Sequence, residues 1–198
     1  MHSMERRLSE SVTPSSAKIQ LGCGHNLRVG WVNHEMIALP GVDVVHDLRQ
    51  CPWPFPDQSF EEVYADNVLE HLPDTVGAME EIYRITKPGA NIFLGVPYWN
   101  SFEAWGDPTH TRVFTEETFE FFDPTTWRGR ERSYYTKARF KIDRIVYCIN
   151  FAKPLSRSVA AYRFGMKAES KIFKTALRVL AAYLCNVIHG LDIHLTRL

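Results

Sequence analysis

The sequence predicts an open α/β sheet with a ligand crevice at the carboxyl ends of its first strands, on three observations. An apolar strand pattern around Ile19 and Leu21 runs into Gly22-Cys23-Gly24. A second apolar stretch ends at an acid, Glu35, and a third (Val42, Val44, Val45) ends at Asp47. Strands that each deliver a small or acidic residue at the carboxyl end are how such sheets build a nucleotide pocket. Glycine lets the backbone approach a ligand where a Cβ would clash, and a carboxylate at the tip of the second strand can accept hydrogen bonds from both ribose hydroxyls. The pattern reads as a binder of an adenosine-containing cofactor.

The strands are expected over Lys18–Leu21, Val32–Met36 and Val42–His46. Only about ten residues join the first two, fewer than the dozen or more of a parallel crossover, so the first helix is a stub or missing. Cys51–Gln58 holds three prolines and must be loop. Phe60–Ala65 alternates as a fourth strand, and Asp66 or Asn67 is placed to cap a short helix beginning near Val68. Met79, Ile82, Tyr83 and Ile85 make an amphipathic helix of Pro73–Thr86, stopped by Pro88-Gly89. The continuous apolar run Ile92–Val96 predicts a strand buried on both faces. A helix over Thr115–Phe122, a sixth strand over Phe140–Asn150, helices within Ser156–His189 and a final strand His194–Leu198 after a break at Gly190 complete the reading. Residues 1–16 are polar and read as a mobile tail without an apolar leader, followed by one domain over 17–198 with a helical insertion at about 156–189.

The glycine turn does not match a dinucleotide fingerprint. Only Gly22 and Gly24 are in register, and Glu35 comes earlier than the ~20 residues that pattern requires. No phosphate-binding loop of the G-x-x-x-x-G-K-[ST] type occurs. A short turn offers few backbone N–H groups, which suits a cofactor without phosphate and disfavours NAD and ATP.

VVHDLRQCPWPFPDQSFEEVYADNVLEHLPD, followed by MEEIYRITKPGANIFLGVPYW, resembles the class I S-adenosylmethionine-dependent methyltransferases, in particular small single-domain members associated with sugar and polysaccharide modification. The resemblance covers about Ile19 to Asp123. It implies a Rossmann-like, seven-stranded, mostly parallel sheet with an antiparallel last strand and helices on both faces. It also implies that Gly22, Cys23 and Gly24 wrap the methionine part of S-adenosyl-L-methionine, that Glu35 holds the ribose, and that Asp47 and Leu48 lie by the adenine. Asp66 and Asn67, at the end of the fourth strand, complete the expected cofactor set. Glu70-His71-Leu72 and Lys87-Pro88-Gly89-Ala90 stand at two further motif positions, with Ala90 in place of the usual second glycine.

Methyl transfer needs in-line approach, exclusion of water and, for a hydroxyl acceptor, removal of a proton. A well-placed base contributes about 10²–10⁴-fold. Asp107-Pro108-Thr109-His110 resembles a run in related methyltransferases, so His110 is the expected general base, with Asp107 orienting it or gripping substrate; the same residues would otherwise tie down a loop. His71 is the second candidate. His25 and His46 read as cofactor lining, and Tyr98, Trp99 and Trp105 as acceptor-stacking or packing aromatics. No histidine pair with nearby cysteines has zinc spacing, so no metal is expected.

The formal net charge is zero, which speaks against a nucleic-acid partner. Four scattered cysteines, Cys23, Cys51, Cys148 and Cys185, read as reduced thiols of a cytoplasmic protein. No apolar run approaches a membrane span. Lys171, Lys174 and Arg178 form one stripe of a helix within 170–189, read as packed on the domain or across a dimer with only its basic stripe in water, or as lying on a membrane surface. The expected activity is methylation of a hydroxyl on a small-molecule or glycan acceptor, with a non-catalytic binder of S-adenosylmethionine or S-adenosylhomocysteine as the alternative.

Overall fold

The structure, a computed structural model, describes residues 15–149 and 166–198. The strands are β1 (Lys18–Leu21), β2 (Val32–Glu35), β3 (Val44–Val45), β4 (Phe60–Asp66), β5 (Thr86–Pro97), β6 (Phe140–Ile149), β7 (Met166–Ala168) and β8 (Gly190–Arg197). The helices are α1 (Thr75–Ile85), α2 (Phe102–Gly106), α3 (Glu116–Glu120), α4 (Trp127–Glu131) and α5 (Lys171–Ala181), with a 3₁₀ turn over Leu69–His71. One eight-stranded sheet runs in the order β3-β2-β1-β4-β5-β8-β6-β7. β1 to β5 are parallel, and β8 enters antiparallel between β5 and β6.

Among the described residues the sheet thus has one strand more than the seven expected. β7 pairs antiparallel with the end of β6, Ala168 opposite Tyr147, in a stretch expected to be helical; much of that stretch lies outside the described residues, as does nearly all of the 1–16 tail. The final strand begins at Gly190, the expected break, because Gly190 and Asp192 already pair with Pro97 and Gly95. Ile19, Leu21, Phe60, Val63, Ile92 and Leu94 are nearly inaccessible and form the core with Met79, Ile82 and Ile85 of α1. Asp74 caps α1 through its carboxylate, which accepts from the Gly77 N–H at 2.9 Å. Neither Asp66 nor Asn67 caps the 3₁₀ turn, whose first position is Val68; both side chains are used elsewhere.

β5 is buried without interruption only over Leu94–Pro97; before that, buried and accessible residues alternate, and Phe93 is half-buried. No helix occupies the first crossover, residues 22–31, and Phe93 stacks instead on Tyr64 at 4.6 Å, with the Arg28 guanidinium 3.5 Å from the Tyr64 ring centre. A cation over an aromatic face partly replaces the missing cover.

α5 also differs from expectation. Two of the three basic residues of its stripe reach back to the domain: Lys174 Nζ donates to the Ile145 carbonyl at 2.7 Å, and half-exposed Arg178 pairs with Glu116 and Glu117 at 2.8 and 2.7 Å. Leu177 and Ala181 are buried, while Ile172 (85% exposed), Val179 and Tyr183 (86% exposed) point outward. The acids Glu116 and Glu117 in the first turn of α3 hold Arg178 against the domain. No helix among the described residues is long and apolar enough to cross a membrane.

Candidate active site

The strand order reverses between β1 and β4, and open α/β sheets take ligands in the crevice above such a switch. A cavity of about 370 Å³ lies there. Gly22 after β1, Glu35 at the end of β2, His46, Asp47 and Leu48 after β3, and Asn67 and Val68 after β4 line it, with His34, Met36, Arg49, His71, Leu72 and Thr109 completing the wall.

Each element brings its residue in for a local reason. Gly22 has φ +60, and a Cβ there would stand 2.6 Å from Val68 Cγ2, so only glycine lets the turn pass under the loop after β4. Glu35 is held by two backbone donors, Gly24 N–H to Oε2 at 2.8 Å and Met36 N–H to Oε1 at 2.7 Å. Each carboxylate oxygen keeps a lone pair for a ligand hydroxyl. The Asp47 carboxylate is gripped by the Arg49 guanidinium at 2.8–3.1 Å, which holds it below the usual carboxylate range. The proline-rich loop supports the Asp47-Leu48 side of the cavity: Trp53 Nε1 donates to the Leu48 carbonyl at 3.0 Å. Arg84 of α1 pins that loop through Asp57, Glu81 and the carbonyls of Trp53 and Phe55.

His34 forms part of the floor and is 1% exposed. Its Nε2–H donates to the His46 carbonyl at 2.9 Å, leaving Nδ1 as acceptor toward the Gly22 N–H at 3.5 Å. Burial pushes the ring down to about 4, so it is neutral at physiological pH.

Of the expected cofactor residues, Gly22, Glu35, Asp47, Leu48 and Asn67 meet on the cavity. Cys23 is buried behind it, and Gly24 acts through its N–H on Glu35. Asp66 is turned to a second cavity of about 160 Å³, beside Gly95, Cys148 and Asp192; there Tyr64 and Asn67 donate to it at 3.0 and 3.1 Å, and burial pushes its carboxyl up. His46 lines the main cavity as expected; His25 does not.

The catalytic candidates converge at one end. His71 and Thr109 reach the cavity wall, and the His71 and His110 rings meet edge to face at 4.7 Å. Asp107 serves Thr109 rather than His110: its Oδ1 accepts from the Thr109 N–H at 2.8 Å and the Thr109 hydroxyl at 2.6 Å. A carboxylate only accepts, so the Thr109 oxygen must receive His71 Nδ1–H at 2.9 Å. Asp107, Thr109 and His71 thus form a relay that leaves His71 Nε2 with its lone pair. His110 donates Nδ1–H to the Ala104 carbonyl at 3.2 Å, and its Nε2 lies 4.0 Å from Glu70 Oε1. Burial, and then neighbouring His110, lower the His71 pKa.

Glu70 was visible in the sequence only as part of a motif. It is inaccessible, neither carboxylate oxygen has a hydrogen-bond partner among the described residues, and burial pushes its carboxyl up to about 7. In a 3₁₀ turn of three residues, neighbours point about 120° apart, which sends Glu70 inward and His71 to the cavity. Tyr98 is buried packing, whereas Trp99 and Trp105 are exposed and joined by a Trp105 Nε1–H bond to the Trp99 carbonyl; none of the three lines either cavity.

Residues 32–94 match the family described as the methyltransferase domain. The chain is 41% identical over 61 residues to a sterol 24-C-methyltransferase of Aspergillus fumigatus, a match covering 30% of this chain and 16% of that protein. It is 34% identical over 83 residues to a demethylmenaquinone methyltransferase of Geobacillus stearothermophilus, 41% of this chain and 35% of that protein. The chain therefore spans well under half the length of the curated relatives it matches. A solved S-adenosylmethionine-dependent methyltransferase from Archaeoglobus fulgidus superposes with TM-score 0.56 at 16% identity, covering 93% of this chain and 87% of that one. By its sheet, the chain has the Rossmann-like fold of that solved methyltransferase.

Proposed function

We propose that this protein is an S-adenosylmethionine-dependent methyltransferase acting on a hydroxyl of a small-molecule or sugar-like acceptor. The cavity at the switch point carries the reading: a glycine turn, a pre-oriented Glu35 and Asp47-Leu48 stand around a space of about 370 Å³, within the usual range for a cofactor pocket of about 300–1,000 Å³. Gly22 passes beneath the methionine part, Glu35 takes the ribose hydroxyls, and Asp47, Leu48 and Asn67 take the adenosine. The matched relatives are named for sterol and demethylmenaquinone methylation, which supports a small-molecule acceptor.

In the transfer, the acceptor oxygen forms its bond to the methyl carbon as the carbon–sulfur bond breaks, and the electron pair goes to sulfur. The hydroxyl proton passes to a histidine at the Glu70–His71–His110 end of the cavity. His110 was the candidate from sequence; His71, which reaches the cavity wall and is backed by Asp107 through Thr109, is the better placed of the two. The outward apolar row of α5 fits a peripheral contact through residues 170–189 with the membrane phase of an apolar acceptor, tested by vesicle sedimentation.

The test is calorimetric titration of S-adenosylmethionine, S-adenosylhomocysteine and NAD against the wild type and Glu35→Ala. The adenosyl ligands alone should bind, with about 10- to 100-fold loss in the variant, the value of hydrogen bonds to a charged group. A preference for NAD, or no effect of Glu35→Ala, overturns the cofactor assignment. Turnover lost in His71→Ala with cofactor affinity retained supports the base; affinity retained with no turnover on any acceptor by wild type leaves a non-catalytic binder.

A further inference from the structure

We infer that Glu70, His71 and His110 form a binding site for a divalent transition-metal ion of the zinc type at the rim of the cofactor cavity. Histidines that are far apart in sequence are brought together with a carboxylate, one ligand-capable atom from each residue lying within 4.8 Å of the others. Both imidazoles have their outer nitrogen already committed. His71 donates Nδ1–H to Thr109, itself bonded to Asp107, and His110 donates Nδ1–H to the Ala104 carbonyl. This is the outer-shell arrangement that fixes a ligating histidine's tautomer and raises its basicity, and it leaves both Nε2 lone pairs for a cation.

Glu70 supplies the independent observation. Its side chain is fully buried and aimed into the cluster, and neither oxygen has a hydrogen-bond partner among the described residues. An unpaired buried carboxylate costs several kcal/mol, on the order of the penalties measured for buried ions, and a cation at the centre of the three residues would neutralise it through one of its oxygens. The two segments are also locked together: Thr111 and Arg112 N–H donate to the Glu70 carbonyl at 2.7 and 3.3 Å.

Two imidazole nitrogens and one carboxylate oxygen suit zinc, iron or cobalt, whereas magnesium and calcium favour oxygen alone. Metal–ligand bonds of about 2.0–2.2 Å require the side chains to draw in from the 4.0 Å between His110 and Glu70. Three protein ligands leave a coordination position open, as in catalytic zinc sites. His71 forms part of the cavity wall, so that position neighbours the space where an acceptor oxygen would sit, and a bound cation lowers the pKa of such an oxygen. The ion needs no adenosyl ligand to bind, but it occupies the His71 Nε2 lone pair, so in the metal-loaded chain the cation, and not His71 as a base, would lower the pKa of the acceptor hydroxyl, whose proton leaves to water.

The test uses the metal-stripped full chain with no adenosyl ligand, titrated with Zn²⁺ by calorimetry and with Co²⁺ by visible absorption. The expected result is one ion per chain and a cobalt spectrum of nitrogen and oxygen ligation without a thiolate charge-transfer band, which separates this site from exposed Cys51 and Cys185. Glu70→Gln and His110→Ala should each weaken binding by about 100-fold or more, and Thr109→Val by about 10- to 100-fold, the usual effect of removing an outer-shell partner. His194→Ala, on β8, should leave it unchanged. Absence of binding to wild type, a thiolate band, or affinity untouched by Glu70→Gln and His110→Ala overturns the assignment. If a variant does not fold, the stoichiometry and cobalt spectrum of the wild type decide. Adenosyl affinity measured separately on the same sample distinguishes failure of the metal site from failure of the cofactor assignment.

Discussion

Acidification should weaken this fold through His34, and the size of the effect follows from its burial. The ring is 1% exposed and its pKa falls from 6.5 to about 4, chiefly through desolvation. In the unfolded chain the ring protonates near 6.5; in the folded chain it stays neutral until about 4. Between those values the unfolded state binds the extra proton, so stability is lost as pH falls through that window. At about 1.4 kcal/mol per pKa unit the loss amounts to about 3 kcal/mol. Glu70 bends the profile the other way, because its raised pKa favours the fold while it is protonated and removes that advantage as pH rises toward about 7. The total profile therefore hides His34, and a difference measurement isolates it. His34→Gln keeps a donor for the His46 carbonyl and cannot titrate. Urea unfolding of both proteins between about pH 7.5 and pH 4 should show the wild type losing about 3 kcal/mol more than the variant. A difference that stays constant to within about 0.5 kcal/mol would refute the argument that His34 is buried neutral.

Gly22→Ala places a Cβ against Val68 at φ +60; it should cost about 1–3 kcal/mol and, by shifting the turn, reduce adenosyl affinity, read by thermal unfolding and calorimetry. Leu94→Ala, at a fully buried position of β5, should cost about 2–5 kcal/mol in urea unfolding with an unchanged slope. Arg84→Met removes the hydrogen bonds that hold the proline-rich loop; about 2 kcal/mol of stability should be lost, and hydrogen exchange over residues 51–58 should accelerate while β4 remains protected.

The strand and helix pattern through β5 was legible because its signals are local. Alternating apolar residues mark β4, the 3.6-residue period marks α1, and the glycine turn, Glu35 and Asp47 sit at strand ends whatever packs around them. The missing first helix was legible too, since ten residues are too few for a crossover. Less legible was anything set by what packs against an element. α5 showed its basic and apolar stripes in the sequence, yet Glu116 and Glu117 on another helix hold Arg178 against the domain. β7 has only three residues, and its existence depends on the free edge of β6.

The same division runs through the site. Local residue patterns predicted an α/β sheet with an adenosine-type pocket, because backbone turns and strand tips impose their residues locally, and the resemblance to methyltransferases marked His71, Asp107 and His110 as chemical candidates. Only the tertiary structure decided which groups touch. It turned Asp66 to the second cavity, gave Asp107 to Thr109 and hence to His71, buried His34 beneath the pocket, and set a buried Glu70 beside two histidines. Hydrogen-bond partnership and desolvation depend on distances of a few ångströms between segments some forty residues apart. No local pattern carries that information, and the close approach of two chain segments creates it.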